Sequence, residues 1–128
     1  MESESSSMPA FAYMDSARTT WTPSPFAAGV EFKRLGKANG RGMQLVRFAA
    51  GTTFPAHLHT GPEFIYMLEG EAIQNGRRLQ AGYAGTAEKG TVDTGFRSDT
   101  GCVFLLVCDL NQVFDSVTPD GGQNKRRA

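Results

Sequence analysis

The chain of 128 residues is long enough for one hydrophobic core and too short for two, so a single domain is expected. Thirteen basic residues balance thirteen acidic ones, which removes the net field that would draw the chain to nucleic acid or an anionic membrane surface. Fifteen glycines and six prolines imply many turns, and no run of residues approaches membrane-spanning length.

Met1 to Ser7 is rich in Ser and Glu, and residues 1–19 together read as a disordered or extended arm. Glu2 and Glu4 stand where a signal peptide would carry basic residues, so a cytoplasmic protein is the expectation. Between Pro9 and Phe26, the aromatics Phe11, Tyr13, Trp21 and Phe26 are mixed with turn residues. Such a segment is too apolar to float free and too irregular for a helix; it is expected to lie along a sheet, of this chain or of a neighbouring subunit. The folded domain proper is expected over residues 20–117. Ala28 to Leu35 alternates as a strand, residues 36–42 read as a Gly/Asn loop, and Met43 to Ala50 is the next strand. One face of that strand carries Met43, Leu45 and Arg47, the other Gln44, Val46 and Phe48. Either could line the interior, and Gln44 and Phe48 become pocket candidates if Arg47 faces solvent.

Gly51 to Gly70 holds the only two histidines of the chain, His57 and His59, with Glu63 four residues on. Side chains two apart on an extended strand share a face at a separation of roughly 7 Å. The Thr60-Gly61-Pro62 turn then brings Glu63 back within reach. Two imidazoles and a carboxylate make a divalent-metal site. A histidine in a strand is more often a surface or hydrogen-bonded residue, but here both histidines fall in one three-residue window. Glu63 to Leu68 is nearly continuously apolar, as in a strand buried on both faces, with Glu63 on the face of Ile65 and Met67. An ionised carboxylate opening such a strand costs several kcal/mol if buried without a partner, and a metal ion is such a partner.

Further on, Asn75-Gly76 within Glu71 to Gln80 signals a type I′ hairpin. Cys102 to Val107 is the next strand; its cysteines Cys102 and Cys108 would lie roughly 20 Å apart, beyond disulfide reach. Free, buried thiols suit a reducing compartment. Asn111 to Val117 reads as a short edge element, and residues 118–128, with Lys125, Arg126 and Arg127, as a flexible tail. Short strands separated by turns, without sustained helical periodicity, define an all-β sandwich or barrel with a site in its mouth.

Gly51, five residues, His57-Leu58-His59, three residues, Glu63, six residues and Gly70 resembles the first cupin motif without a gap. The flanking text, including PFAAGVEFKRL and LEGEAIQNGRRLQAGY, is similar to the branch typified by the ChrR anti-sigma cupin domain and acetylacetone-type dioxygenases, over roughly residues 20–110. The resemblance implies a cupin-type double-stranded β-helix (a jelly-roll barrel), one internal divalent metal and commonly a homodimer. The second cupin motif departs from pattern. Where Pro-x-Gly-x-x-His is usual, Glu88 replaces the proline and Asp93 the final histidine. Asp93 is then either a fourth ligand or a surface turn residue.

The resemblance thus implies metal ligands His57, His59, Glu63 and Asp93. Two imidazoles with two carboxylates favour Fe(II) or Mn(II), and Zn(II) or Ni(II) also fit. Candidate pocket walls are Phe48, Phe54, Tyr66 and Phe104, with Tyr83 or Arg97 as polar contributors. The function this favours is a non-haem metal-dependent dioxygenase acting on a diketone- or hydroxyketone-like small molecule. The alternatives are a non-enzymatic ligand-binding or sensor module and a degenerate cupin without metal. No cysteine- and histidine-rich segment precedes the barrel, which argues against a stand-alone anti-sigma factor.

Overall fold

A computed structural model describes the backbone of residues 8–110, 113–117 and 123–127, and the side chains of residues 8–110. The expectations for residues 1–7, 111–112, 118–122 and 128 lie outside the described residues. Thirteen strands are described: β1 (Thr22–Pro23), β2 (Val30–Ala38), β3 (Arg41–Phe48), β4 (Thr52–Phe54), β5 (His57–Leu58), β6 (Glu63–Gln74), β7 (Arg77–Gln80), β8 (Ala84–Ala87), β9 (Val92–Asp93), β10 (Phe96–Ser98), β11 (Cys102–Asp109), β12 (Val113–Val117) and β13 (Gln123–Arg127). All pairings are antiparallel; nine strands form one curled sheet along β1-β2-β3-β11-β6-β10-β4, with β7 and β8 also on β6. A second sheet runs β13-β12-β5-β9. The chain is all-β, as the turn-rich composition predicts. Among the described residues no helix is long and apolar enough to cross a membrane.

β6 joins the two halves of the large sheet. Its first part pairs with β11 and β8, its last with β7 and β10. The change of partner falls at Gly70, which has φ +70° and lies so close to the Gly101 carbonyl oxygen that a Cβ would collide with it. Only glycine combines a left-handed backbone with that approach. The Asn75-Gly76 turn, φ 51° and 78°, closes the β6–β7 hairpin as read from the sequence.

Two expectations are corrected here. Residues 36–42 are not a loop: β2 and β3 extend to Ala38 and Arg41, and Asn39-Gly40, both at positive φ, makes a two-residue turn between them. β6 is not buried on both faces, since Phe64, Tyr66 and Leu68 are 46%, 45% and 43% exposed while Met67 is buried. Among the described residues no layer covers this outer part of β6, so an apolar run alone does not report two-sided burial. Gln123–Arg127, within the stretch read as a tail, pairs with β12 as β13.

Inside the curl, Val30, Val46, Phe48, Met67, Phe96, Cys102 and Phe104 form the core, with Phe48, Phe96 and Phe104 in mutual ring contact at 5.1–5.9 Å. The open choice on β3 is settled. Val46 and Phe48 are buried inside, whereas Arg47 lies outside, donating to Glu31 Oε1 at 2.5 and 3.1 Å and covering the Trp21 ring at 4.2 Å. Lys33 lies over the same ring at 4.8 Å and donates to the Ser16 carbonyl at 2.7 Å. The segment before β2 is thereby tied along the sheet, with β1 paired to β2. Phe11 and Tyr13, beyond the tie, are 88% and 89% exposed and stack on each other.

Candidate metal centre

β5 is only two residues long, held between β9 and β12. It places His57 inside the curl, buried, with its ring edge-on to Phe54 at 5.4 Å. His59 follows just beyond the strand. Its N–H donates to the Thr91 carbonyl and its own carbonyl accepts from the Gly90 N–H, at 2.9 and 2.8 Å. Gly61 in the following turn packs closely on the Asp109 carboxylate, which would have to shift to admit a side chain there. The turn delivers Glu63 as the first residue of β6. One donor atom each from His57, His59 and Glu63 lies within 4.8 Å of the others, and the two rings stand 4.9 Å apart at 78°.

Hydrogen bonds on the far side of each ring fix which nitrogen faces the cluster. His57 Nδ1 lies 2.8 Å from the Pro55 carbonyl oxygen, which can only accept, so Nδ1 carries the proton. His59 Nδ1 lies 2.9 Å from Thr91 Oγ1, and the Thr91 hydroxyl itself donates to the Glu88 carbonyl at 2.8 Å. With its proton committed there, Oγ1 accepts, and His59 Nδ1 is again the N–H. In the neutral ring, both Nε2 atoms then present lone pairs to the cluster. His59 Nε2 is buried with no hydrogen-bond partner and lies 3.4 Å from Glu63 Oε1. An unsatisfied buried acceptor costs about 1–3 kcal/mol, and a neutral imidazole beside an acceptor-only carboxylate gains nothing back. A cation between them satisfies both. The donor set fits a divalent metal, and the outer hydrogen bonds are of the kind that orient ligating histidines.

Asp93 is buried and is the direct register partner of His57. It is not a surface turn residue. Neither is it within the three-residue cluster: Oδ2 accepts from Gln74 Nε2 and Oδ1 from the Gly95 N–H, both at 3.0 Å. Each of its oxygens thus has one hydrogen-bond donor within the protein. Sequence reasoning missed Thr91 and Gln74. Thr91 sits in the same six residues as Asp93, and Gln74 immediately precedes the Asn75-Gly76 turn, so both were within view; the cross-strand register that gives them meaning was not.

A cavity of about 550 Å³ runs from the cluster through the curl. Phe48, Phe54 and Phe104 line it as expected, together with Gln44. The other three expectations are corrected. Tyr66 and Tyr83 point outward, 45% and 47% exposed, and Arg97 pairs with Asp99 at the surface. Each falls on the outward half of the strand alternation or in a turn. Cys102 and Cys108 are free, buried thiols. Burial, reinforced by the charges of Glu63 and Asp109 and opposed by Arg34, pushes the Cys108 thiol up to about 11; burial also raises Cys102.

An antiparallel curled sheet carrying a His-x-His-x₃-Glu cluster that could hold a metal inside its cavity defines a cupin. The family model for the ChrR cupin-like domain matches residues 9–110, and the chain belongs to that family. No curated protein sequence matches it significantly. Among solved structures, a protein from Methylibium petroleiphilum PM1, provisionally described as an acetylacetone dioxygenase, superimposes with a TM-score of 0.81 at 21% identity, over 92% of this chain and 88% of its own. The acetylacetone dioxygenase of Acinetobacter johnsonii gives 0.79 at 16% identity, over 98% and 93%. A chain from the complex of Rhodobacter sphaeroides SigE with the anti-sigma ChrR gives 0.63 at 21% identity, over 73% of this chain and 50% of its own. At these identities the likeness establishes the fold.

Proposed function

We propose that the protein is a metal-dependent cupin of the dioxygenase type, acting on a small oxygen-chelating organic molecule such as a diketone or hydroxyketone. The observation that carries this reading is the orphaned, buried Nε2 of His59, facing the Glu63 carboxylate and within the same cluster as His57. His57, His59 and Glu63 would hold one divalent ion, Fe(II) or Mn(II) by preference and Zn(II) or Ni(II) by tolerance of the donor set. Bound there, the ion would supply Lewis acidity and, if redox-active, a means of activating O₂. Asp93 is the candidate fourth ligand: it is buried beside His57 and lines the same cavity, and it would have to share its oxygens with Gln74 and Gly95. Phe48, Phe54 and Phe104 exclude water from the reacting end.

Elemental analysis of the purified protein beside His57→Ala and Asp93→Ala variants tests the site. Near-stoichiometric metal that is lost in both supports four ligands; loss in His57→Ala alone makes Asp93 a bystander. Oxygen consumption by the Fe(II)-loaded protein over a panel of β-diketones and hydroxyketones tests the chemistry, and uniformly flat traces overturn it. A second reading, a ligand-binding module without turnover, is favoured by the family match to the ChrR cupin-like domain. It predicts stoichiometric metal and tight ligand binding with no oxygen uptake. Two unlinked, buried thiols fit a reducing, cytoplasmic setting.

A further inference from the structure

Arg34 and Gln44 are among the polar side chains of the cavity wall that the metal cluster does not use. Arg34 on β2 and Gln44 on β3 are direct register partners, and the same row continues through Leu106 to Ile65. All four line the cavity. Glu63 stands two residues from Ile65 along β6, on the same inward face. Three strand spacings separate β2 from β6, roughly 14 Å on a flat sheet and less on a curled one. With side chains reaching inward from both ends, the free span suits a small molecule rather than a direct contact.

The chemistry of this end differs from the rest of the wall. Arg34 is the one arginine or lysine lining the cavity among the described residues. Its guanidinium rests over the Phe32 ring at 5.0 Å and makes no ion pair with a described residue. The nearby acids are otherwise engaged. Asp109 pairs with Arg41 at 3.5 Å, Asp93 is held by Gln74 and Gly95, and Glu63 belongs to the metal cluster. The Gln44 amide makes no hydrogen bond within the described residues and is half-buried. Between Arg34 and the cluster the walls are apolar: Val46, Ile65, Phe104 and Leu106. The cavity therefore has the His57–His59–Glu63 cluster at one end, an apolar waist and N–H donors at the other end.

We infer that the ligand of this cavity is an organic acid, whose chelating oxygens lie at the His57–His59–Glu63 end and whose carboxylate, or an equivalent oxyanion, is bound by Arg34 and Gln44. The inference rests on the proposed metal site for the orientation of the ligand, but not for the anion contact. An uncharged β-diketone would fill one end and gain no charge-assisted contact with Arg34 at the other. A planar guanidinium paired with a side-chain amide offers a carboxylate two or more directed donors, the geometry that gives arginine its selectivity for such groups. Because Arg34 is exposed at the cavity mouth, the contact is partly screened and its contribution falls with added salt.

The test uses two probes that share the diketone and differ at the carboxyl end, the anion 4,6-dioxoheptanoate and its uncharged methyl ester. Each is titrated calorimetrically into the full chain, metal-free and loaded with Zn(II), which does not turn over with O₂. The acid is expected to bind about tenfold more tightly than the ester at low ionic strength in both forms. That ratio should collapse towards one in Arg34→Leu, survive in part in Arg34→Lys, and shrink with salt, while metal content and ester affinity stay unchanged. Equal affinity for acid and ester in the wild type, or an undiminished preference in Arg34→Leu, would overturn the assignment. A preference that persists in a protein unable to retain metal overturns the metal reading alone. Absence of binding by either probe in either form overturns both.

Discussion

Thr91 decides which nitrogen His59 offers. Its hydroxyl cannot donate to the ring because it already donates to the Glu88 carbonyl, so the ring must donate to it. Thr91→Val removes that acceptor without changing side-chain shape. Metal affinity, read by competition with a chelator, is expected to fall about 10–100-fold, with Thr91→Ser restoring most of it and neither variant altering the unfolding midpoint of the metal-free protein by much. Cys108 gives a prediction in pH. Its thiol titrates at about 11 in the fold against an ordinary 9.0, so the folded state holds the proton more tightly than the unfolded chain. The resulting stabilisation is complete below pH 9 and is lost as pH rises from 9 to 11, on the order of 2–3 kcal/mol in all. Urea midpoints of metal-free protein at pH 8 and pH 11 should fall further apart in the wild type than in Cys108→Ala; equal differences would show that Cys108 is not the group responsible. Single residues were legible where their type is rare. Two histidines in 128 residues expose themselves. Thr91 and Arg34, in common company, gain their meaning only from register.

Among the elements, β6 binds the architecture together, and its corner at Gly70 separates two costs that glycine removes. Gly70 and Gly76 both lie at positive φ, +70° and +78°. A Cβ on Gly76 would meet open space, whereas one on Gly70 would strike the Gly101 backbone. Gly76→Ala should therefore cost only the left-handed backbone penalty, about 1–2 kcal/mol. Gly70→Ala should cost clearly more, because the obstacle is main chain that cannot rotate away. Urea denaturation with unchanged slope and two shifted midpoints checks the order; equal shifts would mean that β6 and β11 part without strain. The same elements explain what the sequence did and did not disclose. Asn75-Gly76 stands between two alternating runs and reads as a turn at once. Asn39-Gly40 does the same work but lies among Gly36, Gly40 and Gly42, which together read as a loop. The glycine spacing of the metal motif was visible from Gly51 to Gly70, but that Gly70 turns the strand onto a second set of partners was not, because partner choice is non-local.

At the scale of the molecule, the sheet has one face too many. Phe64, Tyr66 and Leu68 on β6 and Met43 on β3 are each 41–46% exposed, and they flank the outward side chains of β11 in register: Met43 with Val107 and Phe64, Leu45 with Leu105 and Tyr66. Alternation forces this arrangement, since every residue that lines the cavity commits its neighbours to the outside. Contiguous apolar patches of more than a few hundred Å² are uncommon on monomers. The homodimer expected from the cupin resemblance would bury this one, on the side of the sheet away from the cavity, leaving the metal end accessible in both copies. Tyr66→Arg with Phe64→Arg would put two unpaired charges at its centre. Light scattering behind a sizing column is expected to give twice the chain mass for the wild type at micromolar concentration and the single chain mass for the double variant. Metal content should be equal in the two, because neither residue lines the cavity. A wild type that runs as a monomer, or a double variant that remains dimeric, would rule this face out as the interface.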